Sequence, residues 1–283
     1  MMARAQTVLH GAVLFTPGDR PERFDKGWAA SAGQLILDLE DAVAPARKQA
    51  AREAVKHWCD ATGRRPLLRV NATDSPHQGD DMSSLGGLPV AGIIVPKVNA
   101  PSDLDAVRAA WPGVAVFPLI ETPYGLEAAV EIARTSGVAQ LMLGALDLHA
   151  ECGIVYPHPA LLAHARLRLV MASRMGQLQP PVDSPHPAVR DWDGVVNDAE
   201  AAARLGFAAK LCIHPGQIPF VSEAFRPTDE QLAWARDVIA ASAGGSAAVQ
   251  VRGQMVDGPV IASARTLLAR ADGRAGSPDP PRL

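Results

Sequence analysis

The sequence predicts an α/β fold: a parallel (β/α)8 TIM barrel with a C-terminal helical extension. Three observations carry that expectation. Eight short apolar runs, many of them β-branched, recur along the chain, and Ala/Leu-rich segments of helical period separate them. The 283 residues also suit a single barrel, which takes about 250. Strands alternating with helices give parallel βαβ units, and eight such units close most naturally on themselves. The competing arrangement is an open doubly wound sheet, since strands buried on both faces read as continuous apolar runs in either fold. No GxGxxG follows the first run to favour it.

Taken in order, strands are expected at residues 13–15, 35–39, 67–70, 92–95, 115–120, 141–143, 181–182 and 210–213. Helices are expected over 21–32, 46–58, 102–110, 125–135, 159–173, 192–205 and 229–241. Ser102 is placed to N-cap its helix, Asp103 and Asp105 suit the positive end of the macrodipole, and Gly137 and Gly206 follow their helices as C-terminal glycines do. The segment 71–91 is polar and Gly-rich and reads as a long loop holding one helical turn. The seventh strand is the weakest, with Pro180 and Pro181 opening it and Pro185 closing it. A Gly/Ser/Ala stretch at 242–248 marks a hinge, 255–269 has a helical pattern, and the Gly- and Pro-rich tail from Ala271 is expected to be disordered. The organisation is therefore a catalytic barrel over 1–241, a hinge and helical segment over 242–270, and a tail over 271–283.

Composition narrows the function. Lys and Arg number 27 against 30 Asp and Glu, a net charge of −3, which argues against nucleic-acid binding but not against a local basic patch for a phosphate. Cys59, Cys152 and Cys212 form no CxxC pair, so a structural zinc site is not expected, and their sparse use suits a reducing cytoplasm. No stretch of about 18 apolar residues spans a membrane, and residues 1–10 lack the apolar run of a signal peptide.

The catalytic face of such a barrel lies at the carboxyl ends of its strands. Six of the eight runs deliver a polar side chain there: Asp38, Glu40 and Asp41; Arg69 and Asn71; Lys97; Glu121; Asp147; and His214. Asp38 and Glu40 sit within an otherwise Leu/Ile run, and a buried charge is costly unless it is paired or metal-bound. Carboxylates converging on one mouth repel each other, and a hard divalent cation relieves that repulsion. Oxygen ligands without a His/Cys cluster suit Mg2+ rather than Zn2+. Glu121 and Asp147 end adjacent strands and are the expected metal ligands. Arg69, on a nearby strand end, is placed to pair a substrate carboxylate.

Seven motifs, in this order, resemble the citrate lyase β-subunit-like family within the HpcH/HpaI aldolase superfamily. They are FTPGDRPER from Phe15, LDLEDAV from Leu37, RVN from Arg69, VPK from Val95, IETPYG from Ile120, GALDL from Gly144 and KLCIHPGQ from Lys210, with an echo in GQMVDGP from Gly253. The resemblance spans 13–225. It implies a Mg2+-dependent carbon–carbon lyase acting on a 3-hydroxyacyl-CoA thioester of the citryl-, malyl- or citramalyl-CoA type, giving an acyl-CoA and a 2-oxo acid. By the same resemblance Glu121 and Asp147 hold Mg2+, Glu121 and Arg69 meet the 2-oxo or 2-hydroxy acid, and Glu40 and Asp41 lie beside the metal's waters. Arg20, Arg23 and Lys26 take the CoA end, Asp257 enters a neighbouring subunit's site, and the chain forms a homo-oligomer, a trimer. His149, Glu151 and Cys152 depart from the family's pattern after Asp147, which bears on substrate shape.

Plainer roles compete at several positions. Glu40 is within reach of a surface bridge to Arg47 or Lys48, and Asp41 and Asp257 are placed to cap helices. Lys97 suits a solvated rim, Arg20 and Arg23 a helix-start surface, and His214 a strand-end turn. His149 and His158 lack metal-ligand spacing, and Trp28, Trp58 and Trp111 suit packing of the outer helices. Two other functions compete with the lyase: an aldolase acting on free 2-oxo acids without CoA, and a non-catalytic barrel subunit. Retention of Arg69, Glu121 and Asp147 speaks against the second.

Overall fold

The computed structural model describes residues 7–242 and 249–271. Strands β1 (Gly11–Pro17), β2 (Leu35–Asp38), β3 (Leu67–Arg69), β4 (Gly92–Val95), β5 (Ala115–Ile120), β6 (Met142–Leu143), β7 (Val182–Asp183) and β8 (Ala209–Cys212) lie on the eight apolar runs. They pair in sequence order, all parallel, and β8 returns to β1 to close the barrel.

Side chains alternate across each strand, and the alternation sorts the apolar residues into two cores. Val13, Ile36, Leu67, Ile94, Phe117 and Met142 fill the barrel interior. Leu14, Leu37, Leu68, Ile93, Ile120 and Leu143 face outward against the helices. Each such side chain contributes roughly 1.5–3 kcal/mol on burial. The same period fixes the rim at the carboxyl ends of the strands. Asp38 lies two residues beyond Ile36, Arg69 two beyond Leu67, Glu121 two beyond Leu119 and Gly144 two beyond Met142, so all four point inward at the carboxyl end.

The helices between the strands are α1 (Phe24–Ala30), α2 (Lys48–Thr62), α3 (Gln78–Leu85), α4 (Asp105–Ala110), α5 (Pro123–Glu127), α6 (Ala129–Ala133), α7 (Ala145–Glu151), α8 (Pro159–Met175) and α9 (Trp192–Leu205). Where a loop with one turn was expected, α3 runs for two. Asp80 and Asp81 sit in its first turn, and Asp81 is anchored by the Asn71 amide and side chain at 2.8 and 2.7 Å and by Arg52 at 3.1 Å. The helix expected over 125–135 divides into α5 and α6 at Ala128.

After β8 the sequence reading missed α10 (Ile218–Ala224), whose Pro219 falls in the first turn where no donor is lost. It packs against β1 and α9 and so closes the helical ring. Helix α11 (Asp229–Ser242), read from the sequence with the barrel, packs instead on α12 (Gly258–Ala271) and on β9 (Val249–Val251). Residues 255–256, expected in the last helix, belong to β10 (Gln254–Val256), which pairs antiparallel with β9. The cause is the Arg252–Gly253 turn, with φ of 51° and 81°, the positive pair that a two-residue hairpin requires. Of the hinge expected at 242–248, Ser242 instead ends α11 and the rest lies outside the described residues; of the tail expected from Ala271, that residue ends α12 and the rest lies outside them. No helix among the described residues is long and apolar enough to cross a membrane.

A buried charge cluster lies behind the seventh and eighth strands. Asp183 and Lys210 point out of the barrel, both fully buried, against α8 and α9. Arg166 donates to Asp183 at 3.0 and 2.8 Å, and the Lys210 ammonium donates to Asp183, Asp198 and the Ser184 carbonyl, each at 2.6 Å. Arg166 also pairs with Asp198. Two cations meet two carboxylates, so a strand that reads as polar is neutral where it is buried.

Candidate metal and substrate site

Glu121 is the centre of the inward-facing rim. It is 2% exposed, and its Oε1 accepts the Lys97 backbone N–H at 2.9 Å. That amide reaches it because Lys97 adopts φ +52°, the left-handed region that a non-glycine residue rarely takes. Across from it Gly144 has no side chain. A Cβ there would lie 2.4 Å from Glu121 Oε2, so the glycine leaves room for the carboxylate. Three residues on, Asp147 stands half-buried in the first turn of α7.

Arg69 organises the opposite wall. Its Nε and Nη2 donate to the two oxygens of buried Asp38 at 2.7 and 2.6 Å, its Nη1 lies 2.9 Å from Glu40 Oε2, and its guanidinium sits 4.7 Å from the Phe15 ring centre. Asp38 also accepts the Glu40 and Ala42 amides, which fixes the turn after β2. Despite the short approach of Arg69, Glu40 Oε2 accepts no hydrogen bond among the described residues, so that pair is coulombic only. Lys48 secures the same turn by donating to the Leu39 and Glu40 carbonyls at 2.6 and 2.7 Å.

The carboxylates are crowded, and their acidities show it. Burial, then the charges of Asp147 and Glu40, push Glu121 up to about 8 against the pull of Arg69. Burial pushes Glu40 up to about 7, more strongly than Arg69 lowers it. Asp147 is raised by burial and by Asp41. Burial pulls the Lys97 ammonium down, but Glu40, Asp41, Glu121 and Asp147 together outweigh it and hold the group above its usual value.

These residues fit a hard divalent cation. Two carboxylates crowd into one mouth, one of them in a cradle that a methyl group would fill, and repulsion of this kind is what Mg2+ relieves. Among the described residues no three His, Cys, Asp or Glu side chains are gathered as a ready-made ligand set. That composition matches Mg2+, which keeps waters and substrate oxygens beside one or two carboxylates, and not a closed zinc cage.

The structure brings Arg69, Glu40, Asp41, Glu121 and Asp147 to one rim, and adds Asp38, Lys97 and Gly144. Asp41 is exposed and does not cap α2, which starts only after a Pro45–Arg47 turn. Arg47 pairs with Asp19, and Lys48 with backbone carbonyls, so neither bridges the Glu40 side chain. Arg20, Arg23 and Lys26 are exposed just beyond β1, where the Gly18 amide ties the loop to the Asp38 carbonyl at 2.7 Å. Asp257 is exposed and accepts the Val260 N–H at 3.1 Å, capping α12; it makes no hydrogen bond or ion pair with Arg69, Glu121 or Asp147. His214 Nδ1 accepts the Gly216 N–H and holds the turn after β8. His149 is buried away from the mouth. Its Nδ1 faces the Ala145 carbonyl at 2.6 Å and so carries the proton, leaving Nε2 to accept the His158 N–H. A cavity of about 590 Å3 opens at the amino-terminal end of the barrel beside Arg65, Arg108 and Trp111, and none of the rim residues lines it.

The chain resembles known proteins in sequence and fold. The model of the HpcH/HpaI aldolase/citrate lyase family matches residues 11–215. A citrate lyase subunit beta-like protein of Mycobacterium tuberculosis is 39% identical over 265 residues, covering 91% of this chain and 94% of the relative. A (3S)-malyl-CoA thioesterase of Cereibacter sphaeroides is 30% identical over 268 residues, covering 92% and 94%. The crystal structure of CitE from M. tuberculosis in complex with magnesium, acetoacetate and coenzyme A superimposes with a TM-score of 0.81 at 38% identity, covering 93% of this chain and 98% of that one. The chain therefore belongs to the HpcH/HpaI aldolase/citrate lyase family.

Proposed function

We propose that the chain is a Mg2+-dependent carbon–carbon lyase. It cleaves a 3-hydroxyacyl-CoA thioester of the citryl-, malyl- or citramalyl-CoA type to an acyl-CoA and a 2-oxo acid. The observation that carries this reading is the rim itself: Glu121 in its glycine cradle, Asp147 beside it and Arg69 locked in place by Asp38. Glu121 and Asp147 would hold Mg2+, which as a Lewis acid would favour negative charge on the oxygen that becomes the oxo group.

The chain's own residues do the rest. Arg69, with its fork fixed on Asp38, turns its remaining N–H groups to the acid's carboxylate. Glu40, pushed up to about 7, is poised to accept the hydroxyl proton at neutral pH. As that proton leaves, the C–O bond becomes C=O and the C2–C3 bond breaks. Its electron pair passes into the thioester enolate, which is protonated at C2. Asp257 of a second copy supplies that proton, since on its own chain it caps α12 and makes no hydrogen bond or ion pair with Arg69, Glu121 or Asp147; this requires a homo-oligomer, and we propose a trimer. Arg20, Arg23 and Lys26 receive the CoA phosphates.

Incubating the enzyme and Mg2+ with a panel of such thioesters, scored separately for 2-oxo acid and for free CoA thiol, tests the proposal. The lyase releases oxo acid and keeps the thioester. Thiol release without oxo acid would instead mark hydrolysis, as in the name of the C. sphaeroides relative. Silence on every member with Mg2+ bound would mark a binding protein.

A further inference from the structure

The rim holds five carboxylates, Asp38, Glu40, Asp41, Glu121 and Asp147, faced by Arg69 and Lys97, while the buried Lys48 ammonium behind them is tied to the Leu39 and Glu40 carbonyls. An anionic acid entering among these carboxylates meets repulsion unless a cation faces it. It therefore needs a cation with donors to spare. Arg69 is largely committed: two of its nitrogens donate to Asp38, a third lies against Glu40, and the side chain is 12% exposed. Lys97 is not. Its side chain is 40% exposed, its ammonium donates no hydrogen bond among the described residues, and its nearest carboxylate, Glu40 Oε1, lies 3.7 Å away.

The backbone supplies a second, independent observation. Lys97 holds φ +52°, where glycine or asparagine sits with less strain. The conformation alone serves Glu121, because it turns the amide onto Oε1, and a glycine would do that job better. A lysine at a strained position points to work for the side chain itself.

We infer that Lys97 is a substrate-binding residue: its ammonium, turned from Glu40, takes the carboxylate of the 2-oxo acid beside Arg69. This rests on the metal-dependent reading above and names the cation that reading leaves open. The Lys97–Glu40 contact is then a resting arrangement of the empty mouth, and substrate binding leaves Glu40 free to accept a proton.

Lys97→Met, Lys97→Gly and Lys97→Arg in the full chain test this, by calorimetric titration first with Mg2+ and then with pyruvate and oxaloacetate in saturating Mg2+. Removing a cation beside the carboxylates leaves Mg2+ affinity equal to or tighter than wild type in Lys97→Met. Oxo-acid affinity falls at least roughly tenfold, the loss expected for a charge-assisted hydrogen bond. Lys97→Gly keeps the backbone turn and shows the same split, and Lys97→Arg restores most of the oxo-acid affinity. A merely structural lysine would weaken Mg2+ binding and leave the ratio of the two affinities unchanged. Unchanged oxo-acid affinity in Lys97→Met overturns the inference while the lyase reading stands; a wild type that binds neither Mg2+ nor oxo acid overturns both.

Discussion

At the scale of the residue, the site is governed by carboxylates kept out of water without enough counter-charge. Glu121 and Glu40 have folded-state acidities of about 8 and about 7 against an ordinary 4.5. The folded chain thus binds protons more tightly than the unfolded one, and stability falls as pH rises. Their contribution is fully present below about pH 4.5, declines through the interval and is gone above about pH 8. Thermal melts of metal-free protein should therefore show a falling midpoint between pH 5 and 8. Mg2+ competes with those protons, so its stabilising effect should grow over the same interval; a midpoint that rises with pH without metal would contradict the description of Glu121. The rim position of Glu121 was legible because it directly follows an apolar run, and that of Arg69 because it interrupts one. The role of Lys97 was not, because a left-handed backbone leaves no mark in a sequence when the residue is not glycine.

At the scale of the element, short segments set the geometry. The β6–α7 junction lays Gly144 against Glu121 and raises Asp147 on the first helical turn. Gly144→Ala should lose at least about tenfold in Mg2+ affinity, because its methyl group would lie 2.4 Å from Glu121 Oε2 and 2.6 Å from Glu121 Cβ and so displace that side chain. Behind β7 and β8, Lys210→Met leaves Asp183 and Asp198 with Arg166 alone. Breaking a buried pair costs about 3–5 kcal/mol, and a urea melt should register that loss. Both elements show where sequence reading stops. The outward Asp183 and Lys210 lie far apart in the chain, so nothing local revealed that each neutralises the other. The hairpin of β9 and β10 was hidden because residues 255–269 have a helical pattern, and only the Arg252–Gly253 turn marks the break.

Across the whole molecule, eight strands recurring at helical separation were enough to give a closed parallel barrel, and the polar ends of those strands marked the rim on which Arg69, Glu121 and Asp147 meet. The arrangement of the C-terminal elements was less legible, since α11 reads as one more barrel helix until its contacts with α12 are seen. Those elements carry Asp257, which caps α12 and has no partner on its own chain's rim. Mixing an inactive Arg69→Ala chain with an inactive Asp257→Ala chain should restore turnover, since some sites then combine an intact rim with an intact Asp257 from a neighbour. No recovery, with mixed oligomers demonstrated, would confine Asp257 to capping.

Calorimetric titration of Mg2+ into metal-free protein at pH 8 tests the Glu121–Asp147 metal pair. Wild type should bind a single Mg2+ per chain, and Glu121→Ala and Asp147→Ala should each abolish that binding while keeping the barrel's circular dichroism. Mg2+ bound with unchanged affinity by the double variant would contradict the account.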